Sequence, residues 1–173
     1  MSTILNSTIY SSPLGKIILA ASEKGLVLLE FDDGERVEKQ HARLSKFGDF
    51  ELSEDSNEIL EATKQQLEEY FNCTRTEFTI PIDSIGTDFQ LKVWDELVKV
   101  PYGSTRTYKE QAIAVGDLKA IRAVAKANGE NRIAIIIPCH RIIGSNDSLV
   151  GYAGGLWRKK KLLELESDQG SLF

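Results

Sequence analysis

The sequence predicts an α+β protein in two parts. An N-terminal α/β domain with a small antiparallel sheet, linker included, spans residues 1–85, and a mostly helical C-terminal domain with a helix-turn-helix and a short active-site strand spans 86–173. Three observations predict this. Apolar and polar residues alternate through 3–31 between turn signals about ten residues apart, as the strands of a meander do. From Thr87 the pattern turns to helical stripes punctuated by N-cap residues and glycines. The charge changes sign with the pattern: residues 1–86 hold 8 Lys/Arg against 16 Asp/Glu, whereas 87–166 hold 13 against 9. An acidic first half and a basic second half point to a polyanionic partner for the second half only.

The remaining composition bounds the class. With 173 residues, 42% hydrophobic and 27% charged, the chain reads as an ordinary globular protein. No apolar stretch reaches the ~18–20 residues of a membrane span. Met1-Ser2-Thr3-Ile4 lacks the basic start and apolar core of a signal peptide, so a cytoplasmic protein is expected. Cys73 and Cys139 form no CxxC pair, and His41 and His140 stand at no metal-ligand spacing, so neither a disulfide nor a metal is expected.

Within the first part, Ile4 to Tyr10, Lys16 to Ser22 and Leu26 to Phe31 read as strands, with turns at Ser12-Pro13-Leu14-Gly15 and Glu23-Lys24-Gly25. Residues 35–46 read as a helix with Val37 and Leu44 inward. Asn57 to Phe71 is a stronger one, with Ile59, Leu60, Thr63, Leu67 and Tyr70 on one stripe. Residues 73–86, including the extended Ile80-Pro81-Ile82-Asp83, form the linker region. In the second part Thr87 caps a helix with the stripe Phe89, Val93, Trp94, Leu97 and Val98, stopped by Pro101-Tyr102-Gly103. Thr107 to Val115 is a second helix ended by Gly116, and Asp117 caps a third from Leu118 to Asn128. That pair matches a helix-turn-helix. Its second helix carries Lys119, Arg122 and Lys126 among small residues, Ala120, Ala123, Ala125 and Ala127. Small side chains permit close backbone approach while a long cation reaches past them, which suits a narrow groove as well as the major groove. A basic helix follows from Leu156 to about Glu166 with Leu162, Leu163 and Leu165 as its apolar side, and 167–173 reads as a frayed tail.

Ile133-Ala134-Ile135-Ile136-Ile137 reads as a buried strand that delivers Pro138-Cys139-His140-Arg141 to its end. A thiol with an imidazole beside it is the pattern of an activated nucleophile, and the imidazole needs an orienting acid, for which Glu164 and Glu166 are both candidates. Neighbours on a regular strand point apart, so Cys139 and His140 require a turn after Pro138 or a bridging water.

Over 86–166 the chain resembles the O6-alkylguanine-DNA alkyltransferases. The resemblance rests on Gly86-Thr87-Asp88-Phe89-Gln90, Val93-Trp94, Val100-Pro101-Tyr102-Gly103, Thr107-Tyr108, Arg122-Ala123-Val124, Asn131, Ile137-Pro138-Cys139-His140-Arg141 and Gly151-Tyr152-Ala153-Gly154-Gly155-Leu156. It implies that Cys139 accepts an alkyl group from O6 of guanine once, irreversibly, as a thioether, with no cofactor. It further implies that His140 deprotonates the thiol through water and Glu166 orients His140. Asn131 links the recognition helix to the active-site strand, and Tyr108 helps rotate the nucleotide and protonates guanine at N3. Main-chain carbonyls of Cys139 and Ile142 meet the guanine amine, and Tyr152 and Ala153 wall the pocket. Arg122 fills the gap left by the flipped base, and Tyr108, Ala120, Ala123, Lys126 and Ser145 join it at the DNA. The implied partner is double-stranded DNA containing O6-alkylguanine, met in the minor groove by a monomer that works in the cytoplasm at the nucleoid, or in the nucleus of a eukaryote. The chain departs from the common pattern at Ala125, Lys126 and Asn146-Asp147, where glycines are frequent, and residues 1–40 hold no Cys or His for the zinc site some members carry. Two other classes fit parts of the pattern: a binding module for alkylated DNA with Cys139 inert, and a Cys-His hydrolase, which turnover would reveal.

Overall fold

A computed structural model describes residues 2–167. The chain divides into two compact units that part between Gly86 and Thr87. In the first, β1 (Thr3–Ser12), β2 (Gly15–Ala21) and β3 (Leu26–Phe31) form the expected antiparallel meander, followed by α1 (Arg36–Leu44), β4 (Phe50–Ser53) and α2 (Glu58–Phe71). The sheet order is β3-β2-β1-β4, and β4 runs parallel to β1, so the sheet is mixed and not antiparallel throughout. The sequence reading missed β4 because the strand has four residues, all at least partly exposed, and so leaves no alternating pattern.

The unit is held by Leu5, Ile17, Leu19, Leu29, Phe31, Leu60, Leu67 and Tyr70, all fully buried. Every residue of β3 is buried. Its charged member, Glu30, is tied to α1 by Arg36 and by Gln40, whose Nε2 donates to Oε2 at 3.0 Å. Gln40 thus takes an inward place on α1, while Val37 is only half-buried. The linker region covers β3: Leu26 N donates to Pro81 O (2.8 Å) and Asp83 N to Leu26 O (2.9 Å). A Cβ at position 25 would stand 2.6 Å from Pro81 O, so only glycine admits this approach.

The second unit contains α3 (Asp88–Val98), β5 (Arg106–Thr107), α4 (Tyr108–Val115), α5 (Ile121–Gly129), β6 (Ile142–Ile143) and α6 (Leu156–Glu166). Thr87 and Thr107 each close a capping box, which fixes where α3 and α4 begin. Gly116 ends α4 at φ +107, Asp117 accepts from Lys119 N, and a 3-10 turn at Leu118–Ala120 leads into α5. Two buried amides lock α4 to α5: Gln111 Nε2 donates to Asn128 Oδ1 (2.8 Å), and Asn128 Nδ2 returns the bond to Gln111 Oε1 (2.7 Å). On α3, Val93, Trp94 and Leu97 are buried, but Phe89 and Val98, expected on the same stripe, are exposed.

The largest correction concerns residues 133–137. All but the half-buried Ile136 are buried as expected, yet they do not form a strand. The backbone turns, with Ile136 N donating to Ala134 O (2.7 Å) and Ile137 N to Ile133 O (3.0 Å), and Ile135 sits at φ +70. Burial selects apolar residues but not their conformation, and a side chain fixes the conformation here, as described below. The short strand falls instead at β6, paired in parallel with β5. Of the tail expected to fray, 168–173 lies outside the described residues. No helix among the described residues is long and apolar enough to cross a membrane.

Candidate active site

Asn131 organises the turn. Its Oδ1 accepts from Ile133 N (3.0 Å), and its Nδ2 donates to Ile137 O (2.8 Å), closing the loop end to end. This clamp holds Ile135 in the left-handed region, which costs a β-branched residue about 1–3 kcal/mol. The same Nδ2 lies 3.3 Å from Cys139 Sγ. An amide N–H aimed at sulfur favours the thiolate over the thiol.

Cys139–Arg141 form one 3-10 turn, with Cys139 N donating to Ile137 O (2.8 Å) and Arg141 N to Pro138 O (3.0 Å). The turn half-buries Cys139 and sends His140 and Arg141 inward to Glu166, the last residue of α6. His140 Nε2 stands 2.7 Å from Glu166 Oε2. Arg141 grips the same carboxylate with Nε (2.7 Å) and Nη2 (3.0 Å), and donates Nη1 to Val100 O (2.7 Å). Burial alone would push the Glu166 carboxyl up; the charge and hydrogen bond of His140, together with Arg141, outweigh it and hold the carboxyl well below the usual range. The carboxylate is therefore ionised and accepts from Nε2–H. In the neutral imidazole this leaves the lone pair on Nδ1, a buried atom with no hydrogen-bond partner among the described residues. Glu164, the other candidate, is half-buried and faces Lys160 (3.9 Å).

Tyr108, the first residue of α4, donates its hydroxyl to Val150 O at 3.0 Å. Burial raises its pKa, and the charge of Cys139 raises it further. Lys159 of α6, not singled out in the sequence, is fully buried beside it. Its Nζ donates to Val150 O (3.0 Å) and Gly151 O (3.1 Å) and lies 5.6 Å from the Tyr108 ring centre. Burial lowers its pKa to about 8, against the opposing pull of Cys139.

Two hydrogen-bonded pairs, Asn131 with Cys139 and His140 with Glu166, thus meet at the 3-10 turn, and both burial and the charge of Cys139 bear on Tyr108. Ile142 is buried in β6, and its N–H bonds the Cys139 carbonyl. Tyr152 is half-buried and Ala153 exposed in the loop before α6, which closes on itself through Gly155 N to Tyr152 O (2.9 Å). The other candidates face solvent: Arg122, Ala123 and Lys126 on α5, Ala120 at its entry, half-buried, and Ser145 in the turn after β6. Leu118 and Ile121, 48% and 37% exposed, were not singled out in the sequence, although their spacing from Arg122 puts all three on one helical face. No cluster of His, Cys, Asp and Glu able to hold a metal occurs among the described residues.

The family model for the DNA binding domain of 6-O-methylguanine DNA methyltransferase matches residues 88–168, and that for the ribonuclease-like domain of the same proteins matches 5–84. The chain is 44% identical to a methylated-DNA–protein-cysteine methyltransferase of Methanosarcina barkeri, over 92% of this chain and 96% of that one. It is 40% identical to the constitutive one of Bacillus subtilis, over 90% and 91%. The crystal structure of Mycobacterium tuberculosis OGT in complex with DNA superposes with a TM-score of 0.81 at 38% identity, over 98% of this chain and 96% of that one.

Proposed function

The chain belongs to the 6-O-methylguanine DNA methyltransferase family, and from that premise we propose that it repairs DNA by moving an alkyl group from O6 of guanine onto Cys139. The observation that carries the assignment of Cys139 is the buried His140–Glu166–Arg141 set next to a thiol that Asn131 touches. Glu166 fixes the proton on Nε2, so Nδ1 takes the thiol proton through one water. The thiolate attacks the alkyl carbon opposite O6. The S–C bond forms as the C–O6 bond breaks, its electron pair stays with guanine, and the Tyr108 hydroxyl returns a proton at N3. A thioether has no good leaving group, so each molecule reacts once.

The base must leave the stack first, at a cost of a few kcal/mol. Arg122 fills the gap and thereby offsets part of that cost. Small and apolar exposed residues around it, with Lys126, suit contact with the minor groove and the phosphates, which a repair protein blind to sequence requires. Ser145 is a further DNA contact. Tyr152 and Ala153 wall the pocket, and the carbonyls of Cys139 and Ile142 receive the guanine amine. One chain carries every group named, which supports action as a monomer, in whichever compartment holds the DNA.

Intact mass measured before and after incubation with a duplex carrying O6-methylguanine tests this. A gain of one methyl group, located on Cys139 and absent in Cys139→Ala, is expected. No transfer from a verified lesion overturns it.

A further inference from the structure

Gln111 and Asn128 face each other inside the second unit, both buried, Gln111 completely. Each amide gives one hydrogen bond and takes one: Gln111 Nε2 donates to Asn128 Oδ1 (2.8 Å), and Asn128 Nδ2 to Gln111 Oε1 (2.7 Å). Burying the contact does not require amides, since two apolar side chains of similar shape would stabilise it about as well. What the amides add is direction. Both bonds close at one setting of α5 along α4, and a slide in either sense weakens both together.

The two helices joined here carry groups assigned above to the same flipped nucleotide. Tyr108 lies one turn before Gln111 on α4, with its hydroxyl bonded to Val150 O (3.0 Å). Arg122 lies ~9 Å before Asn128 along the axis of α5, so a shift of Asn128 carries Arg122 with it. Trp94 Nε1 donates to Ala127 O (2.9 Å) and fastens the same turn of α5 to α3, so α4 is the helix that the amide pair adds. Asn128 O also accepts from Asn131 N (3.2 Å), where the clamp on the active-site turn begins. That clamp is local: the bonds of Asn131 to Ile133, Ile137 and Cys139 lie within residues 131–139.

We propose that the Gln111–Asn128 pair is a positioning device for transfer from duplex DNA: it sets Arg122 on α5 against Tyr108 on α4, so that filling the gap and holding the flipped nucleotide occur in one register. This deepens the function proposed above and rests on it. A free base leaves no gap to fill, and Cys139 keeps its own clamp, so transfer from a free base calls on the pair far less.

The test uses the full chain with Gln111→Leu, Asn128→Leu and the two together. Leu is branched like Asn and one atom shorter than Gln, which leaves room for methyl contacts longer than hydrogen bonds. Urea unfolding is measured, together with single-turnover transfer from a saturated O6-methylguanine duplex and from free O6-benzylguanine. Each single substitution strands a buried amide and is expected to lower stability, and the double one removes both amides and is expected to recover most of it. In the double variant, transfer from the duplex is still expected to fall by about tenfold or more, as misplacement on the order of 1 Å does, while the free-base rate stays within about threefold of wild type. A folded double variant that repairs the duplex at the wild-type rate overturns the proposal. Equal losses on the two substrates overturn it too, because a merely structural pair would give them. If the double variant does not fold, Gln111→Met alone decides by the same ratio: a duplex loss no larger than the free-base loss overturns the proposal. Failure of the wild type on both substrates would instead overturn the function proposed above, and this proposal with it.

Discussion

Glu166→Gln removes one charge and changes almost no volume, yet it should be among the most damaging substitutions in the second unit. The carboxylate accepts from His140 Nε2 and from two nitrogens of Arg141. A carboxamide offers one oxygen and one NH2 in place of two oxygens. With its oxygen toward Arg141 Nε, the NH2 meets Nη2 of the same guanidinium and Nε2 of His140. With its oxygen toward His140, the NH2 faces Arg141 Nε. Either way two donors collide, and a buried guanidinium loses its counter-charge. Breaking a buried pair from one side costs about 3–5 kcal/mol. The orientation with NH2 against Nε2 also drives the imidazole proton to Nδ1 and so disables His140 in its proposed role as base, a role worth about 10²–10⁴ in rate. Urea unfolding and single-turnover transfer at pH 7 read the two losses separately. Acid gives an internal control. The folded Glu166 carboxyl is held below its unfolded value of about 4.3, so its stabilisation is complete above that pH and fades as pH falls below it. The gap between wild type and variant should therefore narrow in acid. A loss under about 1 kcal/mol at pH 7, or a gap that does not change with pH, would refute the reasoning.

Two further substitutions separate binding from chemistry. Arg122→Ala should slow transfer from duplex DNA far more than transfer from free O6-benzylguanine, because Arg122 is exposed on α5 and its proposed role is in base extrusion; equal losses on both substrates would contradict that role. Asn131→Ala leaves Ile133 N without its side-chain acceptor, a cost of about 1–3 kcal/mol for a buried group, takes from Ile137 O one of the two donors it shares with Cys139 N, and also removes the N–H at Cys139 Sγ; thermal melts should show the first loss, and a slower iodoacetamide reaction near neutral pH the last.

The elements that were legible in the sequence are those whose ends carry their own chemistry. Thr87, Thr107 and Asp117 satisfy N–H groups of the helices they start, and Gly116 supplies the positive φ at the end of α4, so each boundary is decided within a few residues. The two missed features depend on distant or side-chain partners. β4 exists because β1 offers it a row of hydrogen bonds. The turn at 133–137 exists because one amide, on Asn131, bonds both of its ends, and nothing in Ile-Ala-Ile-Ile-Ile itself forbids a strand.

For the site, the periodicity of α6 held more than hydrophobicity revealed. Lys159, Leu162, Leu165 and Glu166 are spaced at three, three and one, so they lie along one face of a helix, and all four are buried. Glu164 falls off that face and remains half-buried beside Lys160. Helical phase alone therefore distinguishes Glu166 from Glu164 once Leu162 and Leu165 are taken as the inward residues. The same phase would have turned Lys159 inward. The sequence reading named Glu164 and Glu166 as candidate acids but did not single out Lys159. On this helix the inward charges are the informative ones, since each has to be matched: Glu166 by His140 and Arg141, Lys159 by two carbonyls and the charge of Cys139. One face of α6 thus serves the site twice, through the acid bonded to the imidazole and through the cation bonded to the Val150 and Gly151 carbonyls under Tyr108.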